Sequence, residues 1–244
     1  MKIRFDGKRA LVTGAGKGIG RDIAKALHNC GADTVALSRT QADLDSLQQE
    51  CPGIQTVTQD LSDWNKARHV LRGLGHVDLL VNNAGVGQLV SFLECTEELL
   101  DTSFGINFKG LFNVSQVVAK EMVERKTGGA IVNISGLGSL MAFDQCVVNC
   151  TTKAAVDSLT RVMALELGPH KIRVNSVCPT LVKTERARPA WSSPMIAGSL
   201  LAWIPLGEFP DPEDVTNAVL FLLSDKAAMI NGTSLPIDGG QLAC

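Results

Sequence analysis

A glycine-rich run near the N-terminus has the composition and spacing of a phosphate-binding turn. The run Gly14-Ala15-Gly16-Lys17-Gly18-Ile19-Gly20 follows a short apolar segment and opens an amphipathic one. Gly14, Gly18 and Gly20 let the backbone turn sharply and approach a pyrophosphate closely. The helix N-terminus that begins around Ile19 would supply free N–H groups and positive potential. We therefore predict that this turn holds the phosphates of a dinucleotide.

The residues that end the second predicted strand distinguish between two dinucleotides. NAD enzymes usually place an acid about 20 residues after the glycines, where it holds the ribose 2′-hydroxyl, whereas an arginine there accommodates a 2′-phosphate. This chain has Ser38-Arg39-Thr40 at that point and no acid. Arg39 offers a planar guanidinium and Lys17 a second positive charge, and both suit a phosphate. The pattern favours NADP(H) over NAD(H). Thr40, which follows Arg39, is predicted to bind the cofactor as well.

Two further strand ends carry residues that suit a bound cofactor. Asp60 and Leu61 end the third predicted strand, and the Asp60 carboxylate could accept a hydrogen bond from the adenine edge. Asn83, Ala84 and Gly85 end the fourth, where small side chains let the backbone pass beside the cofactor. Ligands bind at the carboxyl ends of strands in open α/β sheets.

These residues must be positioned by an alternation of strands and helices. The predicted strands are 10–12, 34–37, 54–58, 77–81, 130–134, 172–177 and 234–237. The predicted helices are 20–29, 42–50 (with Thr40 and Asp43 as a capping pair), 62–71, 104–124, 153–167 and 211–223. Such alternation predicts an α/β Rossmann fold, a doubly wound seven-stranded parallel sheet with helices on both faces, in one domain over residues 1–244. Residues 184–209 are irregular and fall where a mobile lid could lie.

Composition and charge exclude several classes of function. The net charge is −2 and basic residues alternate with acidic ones, so we expect no nucleic-acid partner. No run of about 18 apolar residues predicts a transmembrane segment. Seven scattered cysteines indicate reduced thiols, with no disulfide framework and no metal site. Cys146 and Cys150, four residues apart, fit packing residues better than a redox or metal pair.

The N-terminal residues indicate where in the cell the protein resides. Lys2, Arg4, Lys8 and Arg9 could form a weak mitochondrial signal, but a basic strand edge explains them better. The first strand at Ala10 leaves no room for the apolar segment and cleavage site of a secretory signal. We therefore expect a cytoplasmic protein, with a mitochondrial location as the alternative.

Motifs along nearly the whole chain resemble those of the short-chain dehydrogenase/reductase family. The glycine turn is joined by Asn82–Gly85, Asn107, Lys153 and the run Pro179–Thr184, which contains Val182. Within the family, several segments are similar to the dicarbonyl/L-xylulose reductases and related tetrameric carbonyl reductases; these are 38–44, 50–54, 164–175 and Trp191. The resemblance implies NADPH as cofactor, a small carbonyl or sugar ligand, and a homotetramer built through 104–124, 153–167 and the tail 237–244. It also implies that Val182 and Thr184 contact the cofactor.

The resemblance further implies how the family's catalytic roles fall on this chain. In the family, a tyrosine protonates the substrate oxygen, and a lysine four residues later lowers the tyrosine pKa and holds the nicotinamide ribose. A serine polarises the carbonyl, and an asparagine organises a water that leads to the lysine. Lys153 and Asn107 match the lysine and the asparagine, whereas Asn149 stands at the tyrosine position and Gly136 at the serine position. Gly136, Cys146 and Trp191 are implied at the substrate pocket.

The two replaced residues predict weak carbonyl reduction. A carboxamide cannot release a proton near neutral pH, so Asn149 cannot act as the general acid, and the chain contains no tyrosine at all. Loss of a positioned acid costs roughly 10²–10⁴ in rate, and loss of an oxygen-stabilising donor roughly 10²–10³. The two losses act on one oxygen and need not multiply.

Neighbouring groups are candidates for a substitute proton donor. Ser135 is adjacent in the strand, so its hydroxyl should face away from the substrate. Ser139 could turn inward, the Cys150 thiol could titrate beside Lys153, and Lys153 could donate through water. Three hypotheses stay open: a catalytically deficient NADP(H)-binding protein, a weak or altered reductase of dicarbonyls or L-xylulose, and a structural oligomer that needs no cofactor.

Overall fold

Seven parallel strands form a single sheet in a computed structural model that describes residues 3–244. In chain order they are β1 (Arg9–Thr13), β2 (Asp33–Ser38), β3 (Gln55–Thr58), β4 (Leu79–Asn82), β5 (Gly129–Ile134), β6 (Ile172–Pro179) and β7 (Ser234–Ile237). Their order across the sheet is β3-β2-β1-β4-β5-β6-β7. The predicted doubly wound sheet is confirmed, and its direction of winding reverses between β1 and β4, where ligands bind in such folds.

Nine α-helices connect the strands within residues 3–244. They are α1 (Gly18–Asn29), α2 (Gln41–Glu50), α3 (Trp64–Gly73), α4 (Glu97–Phe104), α5 (Leu111–Arg125), α6 (Val147–Leu167), α7 (Arg188–Trp191), α8 (Pro194–Leu201) and α9 (Pro212–Leu223). None of the described helices is long and apolar enough to cross a membrane. Of the four N-terminal cations, Lys2 lies outside the described residues.

Each face of the sheet buries its own hydrophobic core. Alternate residues of a strand point to opposite faces, so Ala10 and Val12 join one core and Leu11 joins the other. The first core is completed by α1, α2 and α9, and the second by α3, α5 and α6. Both strand faces are therefore covered, which leaves only the ends of the sheet open for a ligand.

The long helix predicted over 104–124 is interrupted. Helix α4 ends at Phe104, a π-helical turn covers Gly105–Gly110, and α5 follows. Within the turn, the Asn107 side chain bonds the backbone of Val86 through both its oxygen and its nitrogen. Such π-helical turns occur frequently at functional sites.

Other predicted boundaries require correction. Helix α6 begins six residues before the predicted Lys153, and α3 begins at Trp64 because the Asp63 side chain caps it by accepting from the Lys66 N–H. Thr40 does occupy the N-cap position of α2, but its side chain makes no capping hydrogen bond, so the predicted capping pair is wrong. The irregular segment 184–209 contains two short helices, α7 and α8.

Candidate functional site

A cavity of about 440 Å³ lies at the carboxyl ends of β1, β2 and β4. Its volume is within the range of ligand pockets, roughly 300–1,000 Å³. Twelve of the residues predicted to bind cofactor line it: Gly14, Lys17, Gly18, Ile19, Arg39, Thr40, Asp60, Leu61, Asn83, Ala84, Gly85 and Thr184. Gly20, Val182 and Lys153 were also predicted but are not among the lining residues.

The glycine turn is closed against the end of β4. Gly14 has a φ of +65°, and a side chain there would place its Cβ 2.7 Å from the Ala84 Cα. The Asn83 amide donates to the carbonyl oxygens of Thr13 and Gly14 at 3.1 and 3.0 Å. A Cβ at Gly20 would overlap that amide. Gly20 therefore leaves the space in which the Asn83 amide bonds the turn.

The two cations predicted for a 2′-phosphate differ in their surroundings. Lys17 forms an ion pair with Asp43, with 3.1 Å between Nζ and Oδ1. Arg39 is exposed and has no ion-pair partner within residues 3–244. The Asp43 carboxylate is therefore engaged by Lys17. Arg39 is the cation left free for an incoming phosphate.

The Asp60 carboxylate is held in place at the mouth of the cavity. Its Oδ1 accepts from the Ser62 backbone N–H and hydroxyl at 2.9 and 2.8 Å. These bonds fix the carboxylate and leave Oδ2 without a hydrogen bond from the residues between 3 and 244. This placement suits a hydrogen bond from an adenine amino group.

Asn107 joins three elements at the other end of the cavity. Its Oδ1 accepts from the Val86 N–H at 2.8 Å, and its Nδ2 donates to the Val86 carbonyl at 2.9 Å. The same nitrogen lies 3.2 Å from the Thr152 hydroxyl in α6. Because Asn107 is buried, it fixes the loop after β4 relative to the helix that carries Lys153.

Lys153 is directed toward the end of β5. Its Nζ donates to the carbonyl oxygen of Ile134 at 2.7 Å. Burial of the ammonium lowers the pKa of Lys153 to about 8, although the negative charge of Asp157 acts in the opposite direction. Asp157 itself accepts from the Ser176 hydroxyl at 2.7 Å and forms no ion pair with the lysine.

Gly136 and Asn149 are both neighbours of this lysine, Gly136 in space and Asn149 along α6. Gly136 has an extended backbone with φ of −179°, and a Cβ there would meet only Lys153 Cγ at 3.7 Å and the Pro179 oxygen at 3.9 Å. Asn149 is half-buried in the first turn of α6, four residues before Lys153. Residues four apart share a helix face, so both positions border the space beside the lysine.

The two serines considered as substitute donors are engaged by backbone carbonyls. Ser135 is buried and its hydroxyl donates to the Lys153 carbonyl, and the Ser139 hydroxyl donates to the Gly136 carbonyl at 2.9 Å. The Cys150 sulfur faces Gly138, where an added Cβ would lie 2.9 Å from it. Burial raises the pKa of the nearby Cys178 thiol to about 11. A thiol with that pKa stays neutral and unreactive near pH 7.

Two residues expected at a substrate pocket have structural contacts. Cys146 is half-buried at the N-cap of α6, and burial raises the pKa of its thiol. The Trp191 indole donates to the Thr184 carbonyl at 2.9 Å. It also packs against the small apolar cluster that includes Ile204 and Phe209. Neither side chain lines the cavity.

Sequence reasoning missed several residues of the cavity region, and two of them make defined contacts. Thr13 is buried, and its hydroxyl accepts from the N–H groups of Asn83 and Ala84 at 3.0 and 3.1 Å. Arg186 lines the cavity and bonds the loop after β4. Its only sequence signal is its place two residues after Thr184. No group of three or more metal-ligating side chains occurs within residues 3–244.

The fold and the cleft define a class of protein. The chain belongs to the short-chain dehydrogenase/reductase family: a family model described as enoyl-(acyl carrier protein) reductase matches residues 14–241. The chain is 54% identical to L-xylulose reductase of Bos taurus over 243 residues, covering 100% of both chains. It is 51% identical to carbonyl reductase [NADPH] 2 of Sus scrofa, again over 243 residues and 100% of both chains.

Solved structures show the same architecture. A gluconate 5-dehydrogenase from Burkholderia cenocepacia, in complex with NADP and tartrate, superposes with a TM-score of 0.94. The match covers 100% of this chain and 98% of that one at 28% sequence identity. That enzyme therefore shares the fold of this chain over its full length.

Proposed function

We propose that this protein is an NADP(H)-binding homologue of the L-xylulose reductases that is deficient in carbonyl reduction. The observation that carries the proposal is the contrast between the cofactor cavity and the surroundings of Lys153. The cavity has the glycine turn and Arg39, which has no ion-pair partner within residues 3–244. Lys153 has Gly136 next to it and Asn149 one helical turn before it, in a chain without tyrosine.

The cavity suits NADP(H). Arg39 has no protein counter-ion in the described chain, so a 2′-phosphate would supply one. The turn from Gly14 to Gly20 would hold the pyrophosphate at the N-terminus of α1. Relatives that bind NADP or are named for NADPH support this assignment. We infer that Lys153 and Thr184 contact the nicotinamide half, and that Val182, which is buried, supports it.

Carbonyl reduction needs more than a bound cofactor. NADPH would supply a hydride to the carbonyl carbon, and a proton must then reach the carbonyl oxygen. The Asn149 amide cannot release that proton, and Gly136 has no hydroxyl to polarise the carbonyl. The hydroxyls of Ser135 and Ser139 donate to backbone carbonyls instead.

Self-association is part of the proposal. We infer that residues 1–244 form one domain that assembles as a homotetramer through the long helices and the tail 237–244. The apolar side chains of Val162 and Leu165, three residues apart on α6, are 47% and 79% exposed and would be available to such an interface. Sedimentation velocity would test this assembly.

The functional proposal is tested by measuring binding and turnover on the same sample. Calorimetry should show tight NADPH binding, while reduction of diacetyl and of L-xylulose stays negligible. Turnover within tenfold of that of an active L-xylulose reductase would contradict catalytic deficiency. No NADPH binding at all would instead support the third hypothesis, an oligomer with a structural or binding role.

One observation favours the second hypothesis, a weak or altered reductase. The pKa of Lys153 is lowered to about 8, so its ammonium is a far better acid near neutral pH than an ordinary lysine. Lys153 would then donate its proton to the carbonyl oxygen through a water. Any residual activity should disappear in Lys153→Met and should decrease as the pH rises through 8.

A further inference from the structure

Arg186 reaches across the cleft from one wall to the other. It lies in a 3₁₀ turn, Glu185–Ala187, that directly follows Thr184. Thr184 lies against the glycine turn, since a Cβ added to Gly18 would lie 3.4 Å from the Cγ2 atom of Thr184. The Arg186 guanidinium donates to the carbonyl oxygens of Gly85 and Gly87, at 3.3 and 2.7 Å, in the loop after β4.

Gly87 provides the space that this arginine needs. A Cβ at Gly87 would lie 3.1 Å from the Arg186 Nη2 atom. A side chain at residue 87 would therefore force the guanidinium to shift by a few tenths of an ångström. Arg186 is itself one of the residues that line the cavity.

The charge of Arg186 is not neutralised by the protein. No carboxylate lies within ion-pair distance of it among residues 3–244, and its neighbour Glu185 pairs with Arg188 at 3.3 Å. A guanidinium has five N–H donors, and the two carbonyls engage only part of them. The positive charge of Arg186 also acts on Lys153, because it helps to lower the pKa of that lysine.

We propose that Arg186 is an oxyanion-binding residue of this cavity, using its remaining N–H groups to hold an anionic oxygen of a bound ligand. The oxyanion could come from the pyrophosphate of the dinucleotide or from the carboxylate of a small carbonyl ligand such as a 2-oxo acid. The inference rests on the proposed function in one respect, namely that the dinucleotide or the carbonyl ligand carries the oxyanion. Planar guanidinium groups bind both kinds of oxyanion through paired hydrogen bonds.

The experiment compares Arg186→Met with Arg188→Met. The control removes a positive charge from the same segment at a residue that does not line the cavity. Calorimetry is run with inorganic pyrophosphate on the ligand-free protein, with NADPH, and with pyruvate on the NADPH-loaded protein. Thermal unfolding checks that each variant is folded, and Arg186→Gln replaces the methionine variant if that one is not.

We expect Arg186→Met to weaken at least one of the three affinities tenfold or more, while Arg188→Met stays within twofold of wild type for all three. A loss for pyrophosphate and NADPH identifies the dinucleotide as the source of the oxyanion, and a loss for pyruvate alone identifies a carboxylate ligand. Affinities within twofold for all three probes would overturn the inference, as would a wild-type protein that binds none of them. The wild-type protein could also bind pyrophosphate through Arg186 and fail to bind NADPH. That result would overturn the proposed function and leave this inference standing.

Discussion

The Lys153 ammonium donates a hydrogen bond to the carbonyl oxygen of Ile134, with 2.7 Å between the two atoms. This bond connects α6 to the end of β5, two residues before Gly136. It keeps a buried cation in the space where the family resemblance expects a tyrosine and a serine. The lysine is therefore retained with a defined structural contact of its own, independent of proton transfer.

Burial of this ammonium predicts a pH dependence of stability. The pKa of Lys153 is lowered from 10.5 to about 8 in the folded protein. The unfolded chain therefore binds more protons between pH 8 and 10.5, and folding stability contributed by this residue rises with pH across that window. We expect the free energy of unfolding of wild type, relative to Lys153→Met, to increase between pH 7 and pH 10.

Urea denaturation at pH 7, 8.5 and 10 measures this difference. Lys120→Met is the matched control, because the Lys120 side chain is 77% exposed and its removal should give a difference that stays level with pH. If the difference in free energy of unfolding between wild type and Lys153→Met stays level or decreases with pH, burial does not disfavour the charged form of Lys153.

Asn107 should contribute to stability through the loop after β4. Asn107→Ala removes two hydrogen bonds to the Val86 backbone and one to Thr152. An unsatisfied buried polar group costs about 1–3 kcal/mol, so we expect a loss of that order in the free energy of unfolding. NADPH binding should weaken as well, since Val86 lines the cavity.

Urea denaturation and NADPH titration check both effects of Asn107→Ala. The exposed Asn65 in α3 provides the control, and Asn65→Ala should change neither quantity appreciably. Equal stability of the Asn107 and Asn65 variants would contradict the role assigned to Asn107.

Arg39 should determine the preference for NADP(H). Removal of a charge-assisted hydrogen bond costs about 1.5–3 kcal/mol, so Arg39→Ala should weaken NADPH binding roughly 10- to 100-fold and leave NADH binding unchanged. Lys17→Ala should have a smaller effect, because Lys17 already pairs with Asp43. Fluorescence titration of wild type and both variants with NADPH and with NADH measures the six affinities. A larger loss for Lys17→Ala than for Arg39→Ala would reverse this assignment.

The strands and the glycine turn could be predicted because their signals are local. Short apolar runs mark the seven strands, and the spacing of Gly14, Gly18 and Gly20 marks the turn. The role of Gly20 could not be predicted, because it depends on the side chain of Asn83, which arrives from a distant strand end. Arg186 is the same kind of case, since its acceptors lie about 100 residues earlier in the chain.

The sequence predicts which residues form the candidate site better than it predicts the contacts that they make. The sequence places Asn149 four residues before Lys153, and α6 brings both to one face. It does not show that Lys153 bonds Ile134 or that Asp43 engages Lys17. Competition between nearby polar partners decides those contacts, and only the folded structure fixes which partner is reached.

We propose that Asn149 and Gly136, which replace a tyrosine and a serine, account for deficient carbonyl reduction. Gly136 can accept a serine, because its backbone is extended and an added Cβ would make only ordinary contacts at 3.7 and 3.9 Å. Asn149→Tyr would place a phenol one helical turn before Lys153. The most direct measurement is NADPH-dependent reduction of diacetyl by wild type, by each single variant and by the double variant Gly136→Ser with Asn149→Tyr.

We predict that kcat/KM of the double variant exceeds that of wild type by at least about 10², the smallest effect expected for a positioned general acid. Adding Lys153→Met to the double variant should remove most of that gain. NADPH affinity, measured in parallel, should stay the same in the double variant. An unchanged rate in a folded, NADPH-binding double variant would contradict the account and show that another group supplies the proton.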